Sequence, residues 1–140
     1  MAVRAMSPAI NDPFTAMTCL DHIGNGLSLF AQQGGENLNT YDQTGQLRLV
    51  FEPFSFEELL VAAFDMLRHA SCDNAAVLLH MLEVIDEIGK DVKSPEMRLQ
   101  LRRHVLLVQA ESRAGALIEA DRQRIARSAN ALVLKLEGTA

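Results

Sequence analysis

The stretch "SFEELLVAAFDMLRHASCDNAAVLLHMLEVIDEIG", Ser55 to Gly89, decides the fold class. It opens on a capping box. Ser55 stands at a helix N-cap and Glu58 three residues on, where each side chain can satisfy a free backbone N–H of the other. Phe56, Leu59, Leu60, Ala63, Phe64 and Leu67 follow at helical spacing. "SCDN" interrupts the run, and Asp73 is placed to cap the next helix. The face of that helix is Val77, Leu78, Met81, Leu82, Ile85 and Ile88, and Gly89 and "KDVK" end it. Two amphipathic helices joined by so short a link belong to a helical bundle, where short links favour antiparallel neighbours.

Working outward, "SPEM" repeats the cap logic, with Ser94 at the N-cap and Pro95 in the first helical position. Met97, Leu101, His104, Val105 and Val108 form one face of this helix. Leu99, Leu106 and Ala110 form a second, nearly opposite one. A helix that is apolar on two sides is either central or meets a partner. The pattern lapses near Arg113–Ala116, and Ile118, Ile125, Ala129, Leu132, Val133 and Leu136 define a last helix. Upstream, Asp12 and Pro13 start a helix whose face is Ala16, Leu20, Ile23, Leu27 and Phe30. Gly24 and Gly26 weaken it by about 1 kcal/mol each relative to Ala. Leu47, Leu49 and Phe51 change the period to two, after a "DQTG" turn. The expected fold is therefore mainly α, a bundle of about five helices with one small β-hairpin, roughly 39–43 with 46–52, in a single domain over 1–140.

The composition agrees. Apolar residues make up 49% of 140, too many for a disordered chain, and with aromatics at 5% the core must be aliphatic. The clearest apolar run, Leu59–Phe64, falls far short of the ~18 residues a membrane span needs. Cys19 and Cys72 read as reduced, buried thiols, since two cysteines make no disulfide framework. Charge is uneven. Residues 1–97 carry five Lys/Arg against fourteen Asp/Glu, and residues 98–140 carry eight against four.

Catalytic signatures are absent. None of His22, His69, His80 and His104 pairs with another at metal-ligand spacing, and there is no Cys-x-x-Cys, no nucleophile elbow and no phosphate loop. Glu83, Asp86 and Glu87 share one flank, which reads as a solvated face. The arginines Arg98, Arg102, Arg103, Arg113, Arg122, Arg124 and Arg127 lack interleaved aromatics for base stacking, so nucleic acid is not favoured as a partner. No catalytic residue, metal ligand or cofactor is assigned.

Two sets of residues stand out. Ser7, Asn11, Asp12 and Thr15 lie in "SPAINDPFT" and could meet a small ligand or cation at a helix start. Asp12-Pro13 is equally a capped, proline-started helix. Arg98, Leu99, Arg102 and Leu106 lie on the second face of the helix over 96–112 and read as an interaction surface.

The block "AVRAMSPAINDPFTAMTCLDHIG", Ala2 to Gly24, resembles the DUF2254 family of predicted bacterial membrane proteins. The matching positions are Arg4, Ala5, Ser7, Pro8, Asn11, Asp12, Pro13, Thr15 and Ala16, then Leu20-Asp21. "GQLRLVFEPFSFEELLVAAFDMLRHA" and "NAAVLLHMLEVIDEIG" are similar in style, so the resemblance spans roughly residues 2–89. It implies a soluble C-terminal domain that follows a membrane-embedded region absent from this chain, and it supplies no activity and no catalytic residue. The expectation is a non-enzymatic interaction or assembly module of an inner-membrane protein, on the cytoplasmic side. Its partners would be its own transmembrane region or further copies of itself. The rival expectation is a ligand site at Ser7–Thr15.

Overall fold

The computed structural model describes residues 1–7, 9–33, 40–41, 44, 46–49 and 54–138. The protein is mainly α. The elements are α1 (Ala2–Ala5), α2 (Pro13–Gln32), β1 (Thr40–Tyr41), β2 (Leu47–Leu49), α3 (Phe56–Ala70), α4 (Ala75–Asp91), α5 (Pro95–Ala114) and α6 (Glu119–Glu137). Among the described residues five long helices follow a single-turn helix at the start. β1 pairs antiparallel with β2, Thr40 opposite Leu49 and Tyr41 opposite Leu47, with a register irregularity between Thr40 and Tyr41. Positions 39, 42, 43 and 50–52 of the expected hairpin lie outside the described residues.

Local chemistry sets the helix starts. At α3 the capping box is complete: Ser55 N–H donates to Glu58 Oε2 at 2.7 Å, and Glu58 N–H to Ser55 Oγ at 3.2 Å. Ser94 Oγ accepts from Met97 N–H and caps α5, with Pro95 first. One start differs from expectation. Asn74, not Asp73, caps α4 by accepting from Val77 N–H at 3.2 Å. Asp73 instead accepts from the N–H of Ala116, across in the α5–α6 link. Gly115 makes this crossing feasible, because a Cβ there would stand 2.1 Å from the carbonyl oxygen of Cys72.

α4 is the centre of the bundle. Its Val77, Leu78, Met81, Leu82, Val84, Ile85 and Ile88 are all buried, and it packs against α2, α5 and α6. α3 lies along α5 and touches α1 and α2. The short α3–α4 link therefore joins helices whose main neighbours are others, contrary to the expectation that it would make them an antiparallel pair. The aliphatic core runs from Leu20 and Leu27 on α2, through Leu60, Phe64 and Leu67 on α3, to Leu101, Val105 and Val108 on α5 and Ile125 and Leu132 on α6. The rings of Phe30 and Phe56 stack at 6.1 Å and join the end of α2 to the start of α3. Cys19 and Cys72 are free but only half-buried, a correction to the expected burial. Cys72 sits in the α3–α4 link, and its carbonyl oxygen is the atom that faces Gly115.

Candidate functional site

Ser7 and residues 9–15 form a tight corner between α1 and α2. Ser7 N–H donates to the Arg4 carbonyl at 3.1 Å. The Ser7 carbonyl in turn accepts from the N–H of Ile10 at 3.0 Å and of Asn11 at 2.9 Å. Asp12 N–H reaches back to the Ala5 carbonyl at 2.7 Å, which ties the end of α1 to the start of α2. The Asp12 carboxylate then caps α2. It accepts from Thr15 N–H at 3.1 Å and from Thr15 Oγ1 at 2.5 Å. These bonds, the hydroxyl one first, hold its carboxyl below the usual carboxylate range. Asn11 has φ of 44°, the left-handed region where Asn is tolerated better than other residues with a side chain. The structure thus brings the four residues into one corner. None of them lines any of the four cavities described below.

The α5 residues fall into two kinds. Arg98 donates through Nε and Nη2 to the Val92 carbonyl, at 3.3 and 3.2 Å, and so closes the end of α4. Arg102 is paired with Glu137 at 2.6 Å and ties α5 to the end of α6. Leu99 and Leu106, by contrast, are 61% and 48% exposed. They line a groove of about 580 Å³ with Glu57, Gln100, Arg102, Arg103 and Leu107. Arg103 closes one wall through an ion pair with Glu57 of α3 at 2.5 Å. Of the two alternatives for a helix apolar on both sides, α5 is the one with a face left open.

Three further cavities, each smaller than this groove, lie elsewhere. One of about 280 Å³ lies between α4 and α6, over Leu79, Leu82 and Leu132, with Asp86 and Lys135 at its rim. One of about 380 Å³ is apolar and lies among α1, α2 and α3, beside Val3, Ile23 and Met66. A third, of about 420 Å³, is polar, between α2 and α4 at Asn25 and Asp91. The acidic flank of α4 is spent on separate basic partners. Glu83 meets His80 at 3.0 Å, Asp86 meets Lys135 at 2.5 Å and Glu87 meets Lys90 at 2.5 Å. His80 also bridges to Asp21 of α2 at 2.7 Å. Among the described residues no group of three or more His, Cys, Asp or Glu side chains could hold a metal ion.

Sequence reasoning missed a buried polar seam between α3 and α5. Arg68, 6% exposed, is ion-paired with Glu111 and with Asp65, the latter at 3.2 Å. His69 Nδ1 lies 2.9 Å from the same Glu111 carboxylate. His104, 1% exposed, lies against Phe64 with its Nδ1 3.9 Å from Asp65. Burial pushes the His104 imidazole below its ordinary value, against the pull of Glu57 and Asp65. A signal was present. Arg68 continues the Leu60–Phe64 stripe by one turn, and Glu111 continues Leu101–His104–Val108. Cys72 nearby is raised by burial and by the charges of Asp73 and Glu111, which keeps it a thiol and a poor nucleophile at neutral pH.

Among the described residues, fold and surfaces define a helical bundle with many of its charges paired and the Leu99–Leu106 face of α5 exposed. The chain belongs to the DUF2254 family, described as predicted membrane proteins, whose model matches residues 1–87. An uncharacterized protein of Mycobacterium tuberculosis and one of Mycobacterium bovis are each 26% identical to it over 126 residues, which is 89% of this chain and 24% of the relative. The chain thus spans about a quarter of the length of these curated relatives. No solved structure matches it. Among the described residues no helix is long and apolar enough to cross a membrane.

Proposed function

We propose that this chain is an assembly module of a bacterial inner-membrane protein, on the cytoplasmic side, that joins copies of the protein through the open face of α5. The carrying observation is the exposure of Leu99 and Leu106, one heptad apart, in a groove flanked by the Arg103–Glu57 and Arg102–Glu137 pairs. An apolar stripe edged by both signs of charge is self-complementary. Two copies related by a two-fold axis would bury leucine against leucine and exchange their ion pairs at the rim. Membership in a family of predicted membrane proteins supports the membrane setting. The surplus of Lys/Arg over Asp/Glu in residues 98–140 supports the cytoplasmic side, where basic residues collect.

Light scattering over a wide concentration range tests the reading. The expected result is a concentration-dependent oligomer that the Leu99→Glu/Leu106→Glu variant reduces to a monomer with unchanged helical circular dichroism. A wild-type monomer at every concentration overturns self-assembly and leaves the face to the membrane-embedded part of the protein.

A further inference from the structure

The seam between α3 and α5 holds an imidazole in an unusual state. His104 is 1% exposed, and no described residue hydrogen-bonds either of its ring nitrogens. The charged groups facing it are Glu57, Asp65 and Arg68 from α3 and Arg103 from α5 itself. The nearest carboxylate is Asp65, 3.9 Å from Nδ1, which is too long for a hydrogen bond. Asp65 is already engaged, since its Oδ1 holds Arg68 Nη2 at 3.2 Å.

A proton on His104 changes what the seam requires. The neutral ring carries one donor and one acceptor. The imidazolium carries two donors and a charge, and a buried charge without a hydrogen-bonded partner is not tolerated. A charge-assisted bond needs a nitrogen–oxygen distance of about 2.8 Å, so Asp65 must advance by about 1 Å. Asp65 is held against that advance by Arg68 Nη2 on the same helix, and Arg68 is itself buried. The alternative is for the ring to leave the seam. Leaving takes the ring from Phe64 and loosens α3 from α5, whereas an Asp65 that advanced would tie the two helices.

We propose that His104 is a proton-operated latch: neutral, it seals α3 onto α5, and protonated, its ring leaves the seam for water and loosens the two helices. Acidification is then the signal, and the Glu57–Arg103 wall of the α5 groove, which bridges the same two helices, is the part that responds. The latch does not depend on self-assembly, because every residue in it belongs to one copy.

Hydrogen exchange of the whole chain tests it, with intrinsic rates corrected for pH. Between pH 7.5 and 5.5 the amides of α3 and α5 should open more often, by up to about tenfold per pH unit below the ordinary imidazole value, while those of α2 change less. His104→Phe, which keeps a ring against Phe64 but carries no proton, should abolish the acid step. His104→Gln serves the same purpose if the Phe variant fails to fold, and His69→Gln should leave the step in place. An acid step that persists in a folded His104 variant overturns the proposal. So does a wild-type ring whose own magnetic resonance signal titrates while α3 and α5 stay protected.

Discussion

Gly24 and Gly26 are two residues apart on α2, and substitution by Ala should move stability in opposite directions. At Gly26 an added Cβ meets nothing within 4 Å. Gly26→Ala should therefore yield the bare propensity gain of an exposed helix position, about 1 kcal/mol. At Gly24 the Cβ would stand 2.5 Å from Val84 Cγ1 on α4. Carbon contacts settle at about 3.5–4.0 Å, so something must yield by about 1 Å. Val84 is 6% exposed, and a β-branched residue in a helix has one strongly preferred rotamer. Overpacking of this kind costs about 1–3 kcal/mol, which outweighs the propensity gain and leaves Gly24→Ala about 1 kcal/mol less stable than wild type. The two variants should differ by about 2 kcal/mol, or roughly 4–8 °C in Tm for a chain of this size. Urea titration followed by far-ultraviolet circular dichroism reads the difference directly. Val84→Ala supplies the control. Combined with Gly24→Ala it should show a favourable coupling of about 1 kcal/mol or more, because each change fills or frees the other's space. A Gly24→Ala variant as stable as Gly26→Ala would refute the close approach of α2 to α4.

Glu111→Gln should cost about 3 kcal/mol, because it leaves the buried Arg68 guanidinium without its main counter-charge. Glu137→Gln, at the half-exposed pair with Arg102, should cost less than about 1 kcal/mol. Urea midpoints compare the two, and a loss at Glu111 no larger than that at Glu137 would show that the seam is not buried as described. At acid pH, Asp12 and Glu58 govern a second effect. Both carboxyls lie below their ordinary range, Asp12 through the Thr15 hydroxyl and amide and Glu58 through the Ser55 amide and hydroxyl. A carboxyl lowered in the folded state contributes stability that is complete above its unfolded value and is lost as pH falls through the folded one. Thr15→Val and Ser55→Ala should therefore raise the pH midpoint of acid unfolding, which circular dichroism would follow. An unchanged midpoint in both variants would sink the capping argument.

Much of the fold was legible because it is written in short-range chemistry. The capping box at Ser55, the Ser94-Pro95 start and the Asp12-Pro13 start each act within four residues, and each is where the sequence places it. What misled was long-range. Asp73 has the right chemistry to cap α4, yet its carboxylate goes to Ala116, 43 residues away, and the neighbouring Asn74 takes the cap. Nothing local to "SCDN" reports that the α5–α6 link passes there. The same holds for neighbour choice among helices, since α3 turns to α5 while α4 pairs with α2. The buried seam was hidden for a different reason. Arg68 and Glu111 sit at core positions of their helices, but a charged residue at the end of an apolar stripe usually marks where the stripe leaves the core. Only the meeting of two such ends, one from each helix, makes the burial tolerable.

The corner at Ser7–Thr15 and the face of α5 exchange weight once side chains are placed. In sequence, the corner offered the denser chemistry, and Asn11 was the residue that capping explained least. In the structure, each of the four has a task inside the chain: the Ser7 carbonyl gathers two amides, Asp12 and Thr15 close the α2 cap, and Asn11 supplies a left-handed backbone that residues without a short polar side chain adopt at a cost. In that same corner the Asp12 amide returns to the Ala5 carbonyl at 2.7 Å. On α5 the reverse holds. Arg98 and Arg102 are absorbed by Val92 and Glu137, but among the described residues Leu99 and Leu106 stay largely uncovered. A folded chain that ties its polar corner this closely, and leaves two leucines one heptad apart in the open, offers an uncommitted apolar surface on α5. That surface is where assembly should be sought first.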